Sequence, residues 1–147
     1  EESGLVNLFA RAVRPLLVRL FPEVPPDHPA MGAMVMNIAA NMLGLGNAAT
    51  PLGLKAMQEL QKLNKVKDTA TNAMATFMAL NTSSVTFIPA TVIGIRAAAN
   101  ASNPAEIIGP VILATGVSTT VAIIAIKTLQ KLPKYRMPAV AQEGEEV

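Results

Sequence analysis

A long stretch without charged side chains, residues 29–54, constrains this chain more than any other feature. The run is apolar enough to enter a bilayer. Its middle, 41–53, nevertheless carries asparagines, glycines, a threonine and a proline where a simple membrane helix would carry leucines. Lipid tolerates broken backbone only where protein or a water-filled cavity satisfies the freed N–H and C=O groups. The stretch therefore predicts a discontinuous membrane segment that lines a buried polar site.

The composition supports a membrane protein and excludes several other classes. Hydrophobic residues make up 51% of the chain and charged residues 15%, against about 25% charged in a soluble domain. The basic residues are spread over loops and no basic, aromatic face exists, so we expect no nucleic-acid partner. Cysteine is absent and His28 is the only histidine. We therefore expect no metal site, no cofactor and no enzymatic activity, because neither a ligand cluster nor a nucleophile and base can be assembled.

The N-terminal segment is predicted to be an amphipathic helix. Asn7, Arg11 and Arg14 lie opposite its apolar face, and this pattern favours a helix lying in the membrane interface with its arginines toward lipid phosphates. The alternative is an ordinary surface helix of a soluble protein. The proline-rich connector 22–29 follows, with His28 as a solvated loop residue. The apolar positions at helical spacing are Leu5, Leu8, Phe9, Ala12, Val13, Leu16, Leu17 and Leu20.

Two apolar runs are predicted to contain helix breaks. Residues 31–43 are helical in pattern, with a break at 44–47 and a restart at which Thr50 is the N-cap and Pro51 the first helical residue. The run 69–95 should break at the polar cluster 81–84 and again at Pro89. A third run, 107–126, is uninterrupted, and its length matches about 30 Å of hydrocarbon.

The charges of the loops predict the orientation of these segments. Lysines and arginines concentrate in 55–68 and 127–136, whereas 96–106 holds one arginine. Because positive loops remain cytoplasmic, two full crossings at 69–95 and 107–126 are expected. The run 29–54 is then a re-entrant hairpin, which the pattern favours over a full crossing. We expect one membrane domain over 1–136, belonging to a longer natural chain, and a disordered acidic tail over 137–147.

The two breaks are predicted to meet at mid-membrane depth and to form a site for a polar solute or ion. Helix ends expose carbonyls and N–H groups there, and amide side chains add further hydrogen-bonding groups. The alternative is that these polar residues only join helices, at about 0.6 kcal/mol each. We favour the alternative for Asn37, Asn41 and Asn72. The candidate binding residues are Asn47, Thr50, Asn81, Thr82 and Ser83, with Asn37 and Asn41 as second choices.

Three blocks of the sequence resemble one bacterial family. The block NMLGLGNAATPLGLKAMQEL at 41–60 is similar to the signature of the spore maturation protein A family, and 79–84 and 103–110 resemble its later blocks. The resemblance extends from about Gly4 to Leu132. This family belongs to the Gate, or nucleoside-recognition, membrane domains, which are similar to the gate regions of ferrous-iron permeases and to halves of concentrative nucleoside transporters.

The resemblance implies a multi-pass protein of the bacterial inner membrane that acts with a homologous B-type subunit. It also implies further hydrophobic helices before the first residue of this chain, and, in spore formers, a link to spore-core dehydration. Two functions remain open. One is half of a permease for a small polar solute or ion, completed by the B-type subunit or by a second copy. The other is a non-transporting assembly subunit of a membrane complex.

Overall fold

The computed structural model describes residues 3–83 and 86–133, and within them it contains helices and no β-strand, as the all-α prediction requires. The predicted tail, 137–147, and the end of the predicted domain, 134–136, lie outside the described residues. The helices are α1 (Ser3–Leu20), α2 (Pro29–Met42), α3 (Gly46–Leu63), α4 (Asn72–Ser83), α5 (Ala90–Ala98), a 3₁₀ turn (Pro104–Ile107) and α6 (Ile108–Leu129).

The core is built around α2, which is buried on most of its circumference. A helix that is apolar all round is stable only when other elements surround it. Helices α1 and α3 cover two of its sides, and α4 reaches both α2 and α3. Alanines on α2 let these neighbours approach closely. The core side chains from the surrounding helices are Ala10, Val13, Leu17, Ala56, Leu60, Ala73, Phe77 and Leu80.

Helix α1 buries a narrower face than its sequence pattern predicts. Val13 and Leu17 pack into the core, but Leu8 and Leu16 are 64% and 68% exposed. The helix continues through Pro15 without ending. The reason is geometric, because α2 contacts one side of α1 only and leaves the other leucines uncovered. The Nζ of Lys127 donates to the Leu20 carbonyl at 2.9 Å, which ties the end of α1 to α6.

The chain reverses direction between α2 and α3 at residues 43–45. Gly44 makes this turn with φ +69°, in the left-handed region that favours glycine. A Cβ at Gly44 would overlap the carbonyl oxygen of Ile88 and lie 2.9 Å from the nitrogen of Ala90. The turn therefore needs glycine both for its backbone conformation and for its contact with the segment before α5.

The predicted restart of the helix at Thr50 and Pro51 is wrong. Helix α3 begins at Gly46, with Leu45 as its N-cap residue, and Pro51 lies inside it. The Thr50 hydroxyl does not cap a helix but donates to the Gly46 carbonyl at 3.1 Å. Pro51 is tolerated close to the start of the helix, where its missing N–H deprives a single carbonyl, that of Asn47, of its helical donor.

The predicted break at 81–84 is also wrong in position, because α4 continues through Ser83. The polar side chains there bond to their own helix instead of opening it. Asn81 Nδ2 donates to Phe77 O at 3.0 Å, the Thr82 hydroxyl to Met78 O at 2.9 Å and the Ser83 hydroxyl to Ala79 O at 2.9 Å. Such bonds to the i−4 carbonyl are compatible with a helix.

Residues 86–89, before α5, are irregular instead. The residue before a proline is disfavoured in the helical region, which explains why Ile88 is not helical. The backbone N–H groups of Phe87 and Ile88 donate to the Met42 carbonyl at 2.8 and 3.2 Å. The irregular segments 43–45 and 86–89 therefore lie against each other, although the second of them is not at the predicted position 81–84.

Within the described ranges, one helical stretch is long and apolar enough to cross a membrane, namely Pro104–Leu129 with 26 residues. The other apolar runs are divided. Helices α2 and α3 share 29–54, and α4 and α5, with 12 and 9 residues, share most of 69–95. A 12-residue helix is about 18 Å long, so the predicted crossing 69–95 is not one continuous helix.

Candidate binding cavity

A cavity of about 240 Å³ opens where α2, α3 and α4 meet. The wall from α2 carries two amides one turn apart, and α4 contributes a third amide and an aromatic ring. Helix α3 contributes small and apolar residues and one hydroxyl. The lining residues are Asn37, Asn41, Ala49, Thr50, Gly53, Leu54, Met57, Phe77, Met78 and Asn81.

Asn37 is the most deeply buried amide of the cavity, with 2% of its surface exposed. Its Nδ2 donates to the Ala49 carbonyl at 2.8 Å. The reverse orientation of the amide would place two oxygens against each other, so this hydrogen bond fixes which atom is the oxygen. The oxygen, Oδ1, is buried and has no hydrogen-bond partner. An unpaired buried acceptor costs about 1–3 kcal/mol, and a ligand that donates to it would remove that cost.

Gly53 allows Asn37 to approach α3 this closely. A Cβ at position 53 would lie 2.9 Å from Asn37 Nδ2, a separation that real Cβ atoms do not adopt. Glycine inside a helix costs about 0.5–1 kcal/mol relative to alanine. Glycine at position 53 therefore lowers the stability of the helix, but it leaves room for the buried amide of Asn37.

Asn41 and Asn81 join α2 to α4 across the cavity. Asn41 Nδ2 donates to Asn81 Oδ1 at 3.1 Å, and Asn81 Nδ2 donates in turn to the Phe77 carbonyl at 3.0 Å. Each of the three amide nitrogens thus already makes a hydrogen bond to the protein. Asn37, whose buried Oδ1 has no hydrogen-bond partner, lines this cavity, and no ionisable residue does.

The structure brings together four of the seven predicted binding residues, namely Asn37, Asn41, Thr50 and Asn81. Asn47 lies elsewhere, in an open cleft of about 330 Å³ between the first residues of α3 and of α5. Thr82 is exposed on α4, and Ser83 hydrogen-bonds to its own helix. The sequence ranked Asn37 and Asn41 second, but they form the centre of this site.

Several lining residues were not predicted from the sequence. Met57 and Phe77 look like ordinary core residues, because nothing in a helical pattern tells a cavity wall from a packed core. Gly53 did carry a signal, since an isolated glycine inside a helical pattern indicates a close approach. In the part of the chain that the structure describes, no group of three His, Cys, Asp or Glu side chains could hold a metal ion.

Comparison with known proteins shows the family of the chain. Residues 1–99 match the family model of Gate domains, described as nucleoside recognition. The chain is also 53% identical over 124 residues to spore maturation protein A of Bacillus subtilis. That alignment covers 84% of this chain and 63% of the relative, so the chain spans less than two thirds of the relative's length. No solved structure matches.

The match to the Gate family model, together with a long exposed apolar helix, indicates a membrane protein of the nucleoside-recognition type. The chain belongs to the spore maturation protein A family of Gate domains.

Proposed function

We propose that this protein is one half of a membrane permease for a small polar solute or ion, with its solute site in the cavity between α2, α3 and α4. The observation that carries the proposal is the buried, unpaired Oδ1 of Asn37. Buried polar atoms in folded proteins nearly always have a partner. Asn37 lines the cavity, and a donating ligand bound there would give this acceptor the partner that it lacks.

The chemistry of the cavity restricts the solute. Asn37 Oδ1 accepts hydrogen bonds, so the solute presents a hydroxyl, an amide N–H, an ammonium group or a cation that binds carbonyl oxygens. Leu54 and Met57 offer an apolar wall to a flat ring. The family description, nucleoside recognition, makes nucleosides the first solutes to test, since they combine a ring with N–H and O–H donors. The cavity is smaller than the about 300–1,000 Å³ of typical ligand pockets, which suits a site completed by a second subunit.

The proposed arrangement is a multi-pass protein of the bacterial inner membrane. In it α6 crosses the bilayer, and the hairpin of α2 and α3 enters and returns on the cytoplasmic side. Helices α4 and α5 together make the second crossing, interrupted at 86–89. The reversal at 43–45 and the contact between Met42 and the segment 86–89 support this topology. Broken backbone at membrane depth is tolerated where protein satisfies it, as Met42 does here.

The proposed partner is a homologous B-type subunit, with a second copy of this chain as the alternative. Apolar side chains on α6 and around α5 are uncovered in the single chain and would face lipid or another subunit. They are Ile88, Val92, Ile95, Leu113, Val117, Val121 and Ile124.

The test is equilibrium binding of radiolabelled uridine and adenosine to the purified complex with the B-type subunit. A parallel flux assay in proteoliposomes uses the same nucleosides, and sodium and potassium ions as further probes. Asn37→Leu removes the acceptor at nearly constant volume, so we expect the affinity for a bound probe to fall about tenfold or more, the value of one hydrogen bond of about 1.4 kcal/mol.

The matched control is Thr82→Val, which changes an exposed hydroxyl outside the cavity on the same helix as Asn81. We expect it to bind and transport like the parent. The proposal fails if no probe binds or moves, or if Asn37→Leu and the parent behave alike.

The second candidate function, a non-transporting assembly subunit, is favoured by the uncovered apolar faces of α5 and α6. In that case Val121→Asn on α6 should abolish co-purification with the B-type subunit, Asn37→Leu should leave assembly unchanged, and the parent itself should transport none of the probes.

A further inference from the structure

A second concave site, separate from the amide-lined cavity, lies between α1 and the start of α2. It is a cleft of about 610 Å³. One wall is the polar face of α1, and the other is the connector and the first turn of α2. Its floor is apolar. The residues are Asn7, Ala10, Arg11, Arg14, Pro26, Asp27, His28, Pro29, Met31, Gly32, Val35 and Met36.

Two arginines give this cleft a positive wall. Arg11 and Arg14 are three residues apart on α1 and so project from neighbouring positions on one face. Arg14 is held only loosely. Its Nη2 lies 3.6 Å from Oδ1 of Asp27, whose side chain is 98% exposed. The same nitrogen donates to the Pro26 carbonyl at 3.4 Å. An exposed ion pair at that distance contributes little, so the Arg14 guanidinium can turn to another anion at small cost.

The opposite wall adds hydrogen-bond donors. His28 caps α2, because its Nδ1 accepts from the Ala30 N–H at 3.1 Å. In the neutral imidazole the hydrogen is then on Nε2, which is free to act as a donor. The first turn of α2 also lines the cleft, and the positive end of its dipole favours an anion there. Guanidinium and imidazole donors thus line one cleft, and Asp27 is the one carboxylate among its lining residues.

We propose that this cleft binds a phosphate-bearing anion through Arg11, Arg14 and His28. Guanidinium groups pair with phosphate in two parallel charge-assisted hydrogen bonds, which favours phosphate over a simple inorganic anion such as chloride. The neighbouring face of α1 carries the exposed Leu8 and Leu16, which would contact acyl chains if the phosphate belongs to a lipid headgroup. The shared chemistry is the phosphate ester, and its source is either an anionic lipid or a soluble phosphate ester.

The test uses the full chain in neutral detergent, titrated with short-chain phosphatidylglycerol and followed by thermophoresis. We expect saturable binding and a much weaker response to phosphatidylcholine. In Arg11→Gln/Arg14→Gln the dissociation constant should rise about tenfold or more, the value of one charge-assisted hydrogen bond. Arg19→Gln removes the same charge from the same helix outside the cleft, and it should change the constant less than about twofold.

Asp27→Asn should strengthen binding, whereas the arginine substitutions should weaken it. Removing the carboxylate that competes for Arg14 should tighten binding about two- to threefold, and its exposed side chain makes a folding defect improbable on physical grounds. The proposal is overturned if Arg19→Gln weakens binding as much as the double variant, if Asp27→Asn has no effect, or if binding does not saturate.

Glycerol 3-phosphate distinguishes the two sources. If it displaces phosphatidylglycerol at millimolar concentration, the cleft is assigned to a soluble phosphate ester. If it does not, the acyl chains contribute and the cleft is assigned to a lipid headgroup. Both outcomes support a phosphate site. Asn37→Leu should leave this binding unchanged, so the result is independent of the permease proposal.

Discussion

Asn37 and Asn64 are equally buried, each with 2% of its surface exposed, but their hydrogen bonding differs. Asn64 ends α3 and uses both ends of its amide. Its Nδ2 donates to Gln61 Oε1 at 3.0 Å and to the Thr69 carbonyl at 2.8 Å, and its Oδ1 accepts from the Val66 N–H at 3.0 Å. Asn37 uses its nitrogen only.

The difference separates an amide whose oxygen and nitrogen are both paired from one whose oxygen is not. Asn64 closes the loop after α3 and leaves nothing for another molecule. Asn37 retains an acceptor whose burial is unfavourable until a donor arrives. Burial and residue type are the same in both places, so the hydrogen-bond inventory alone tells them apart. The following predictions test this distinction through the free energy of unfolding.

The largest effect is expected for Asn64→Ala. It removes three hydrogen bonds that hold the loop after α3, at about 1 kcal/mol each. We expect the free energy of unfolding in detergent to fall by about 2–3 kcal/mol, measured by denaturant titration followed by circular dichroism. Lys65→Ala, an exposed neighbour in the same loop, should stay within about 0.5 kcal/mol of the parent. Equal effects of the two changes would contradict a structural role for Asn64.

Gly53→Ala should have a smaller effect whose sign depends on Asn37. In the parent the added Cβ would lie 2.9 Å from Asn37 Nδ2, and displacing that amide should outweigh the helix propensity gained. We expect a net loss of about 1 kcal/mol.

In an Asn37→Ala background the obstacle is gone, and Gly53→Ala should stabilise by about 0.5–1 kcal/mol through helix propensity alone. A double-mutant cycle on thermal midpoints measures this reversal. The same sign in both backgrounds would show that Gly53 is not kept for the amide.

Asn37→Leu should change stability no more than Gly53→Ala does. It loses one hydrogen bond but also removes an unpaired buried oxygen, and Ala49 O retains its place in the α3 ladder. We therefore expect a change within about 1 kcal/mol in the same titration. A loss as large as that of Asn64→Ala would mean that Asn37 is structural and would remove the distinction on which the proposed site rests.

The smallest effect concerns the exposed half of α3. The hydrogen bond from Lys62, at 2.7 Å, lowers the pKa of Glu59 below its ordinary value of 4.5. Because the folded pKa is depressed, the stabilising contribution is present above the unfolded pKa and is lost as pH falls through the folded pKa. Lys62→Met should return the Glu59 pKa toward 4.5, as measured by carboxyl NMR titration. Below that pH, the free energy of unfolding of the variant should depend less on pH than that of the parent.

The sequence predicted the helical class and a turn close to Gly44, because apolar periodicity and glycine and proline positions act locally. It misplaced the second break by several residues. Asparagine, threonine and serine at 81–83 were interpreted as helix-breaking, whereas their side chains bond to carbonyls of the preceding turn. Whether such side chains bond to their own helix or interrupt it depends on the neighbouring elements, which a sequence pattern does not reveal.

The candidate site was likewise predicted only in part from the sequence. Polar residues inside apolar runs were enough to select Asn37, Asn41, Thr50 and Asn81, but also Asn47, Thr82 and Ser83. Helical spacing places a residue on a face, while the partner of that face is chosen by packing among α2, α3 and α4. The sequence by itself determined that amides would be buried in an apolar helical protein. Only the tertiary structure decided that Asn64 would be satisfied and Asn37 would not, because that depends on which carbonyls and N–H groups distant parts of the chain bring within hydrogen-bond distance.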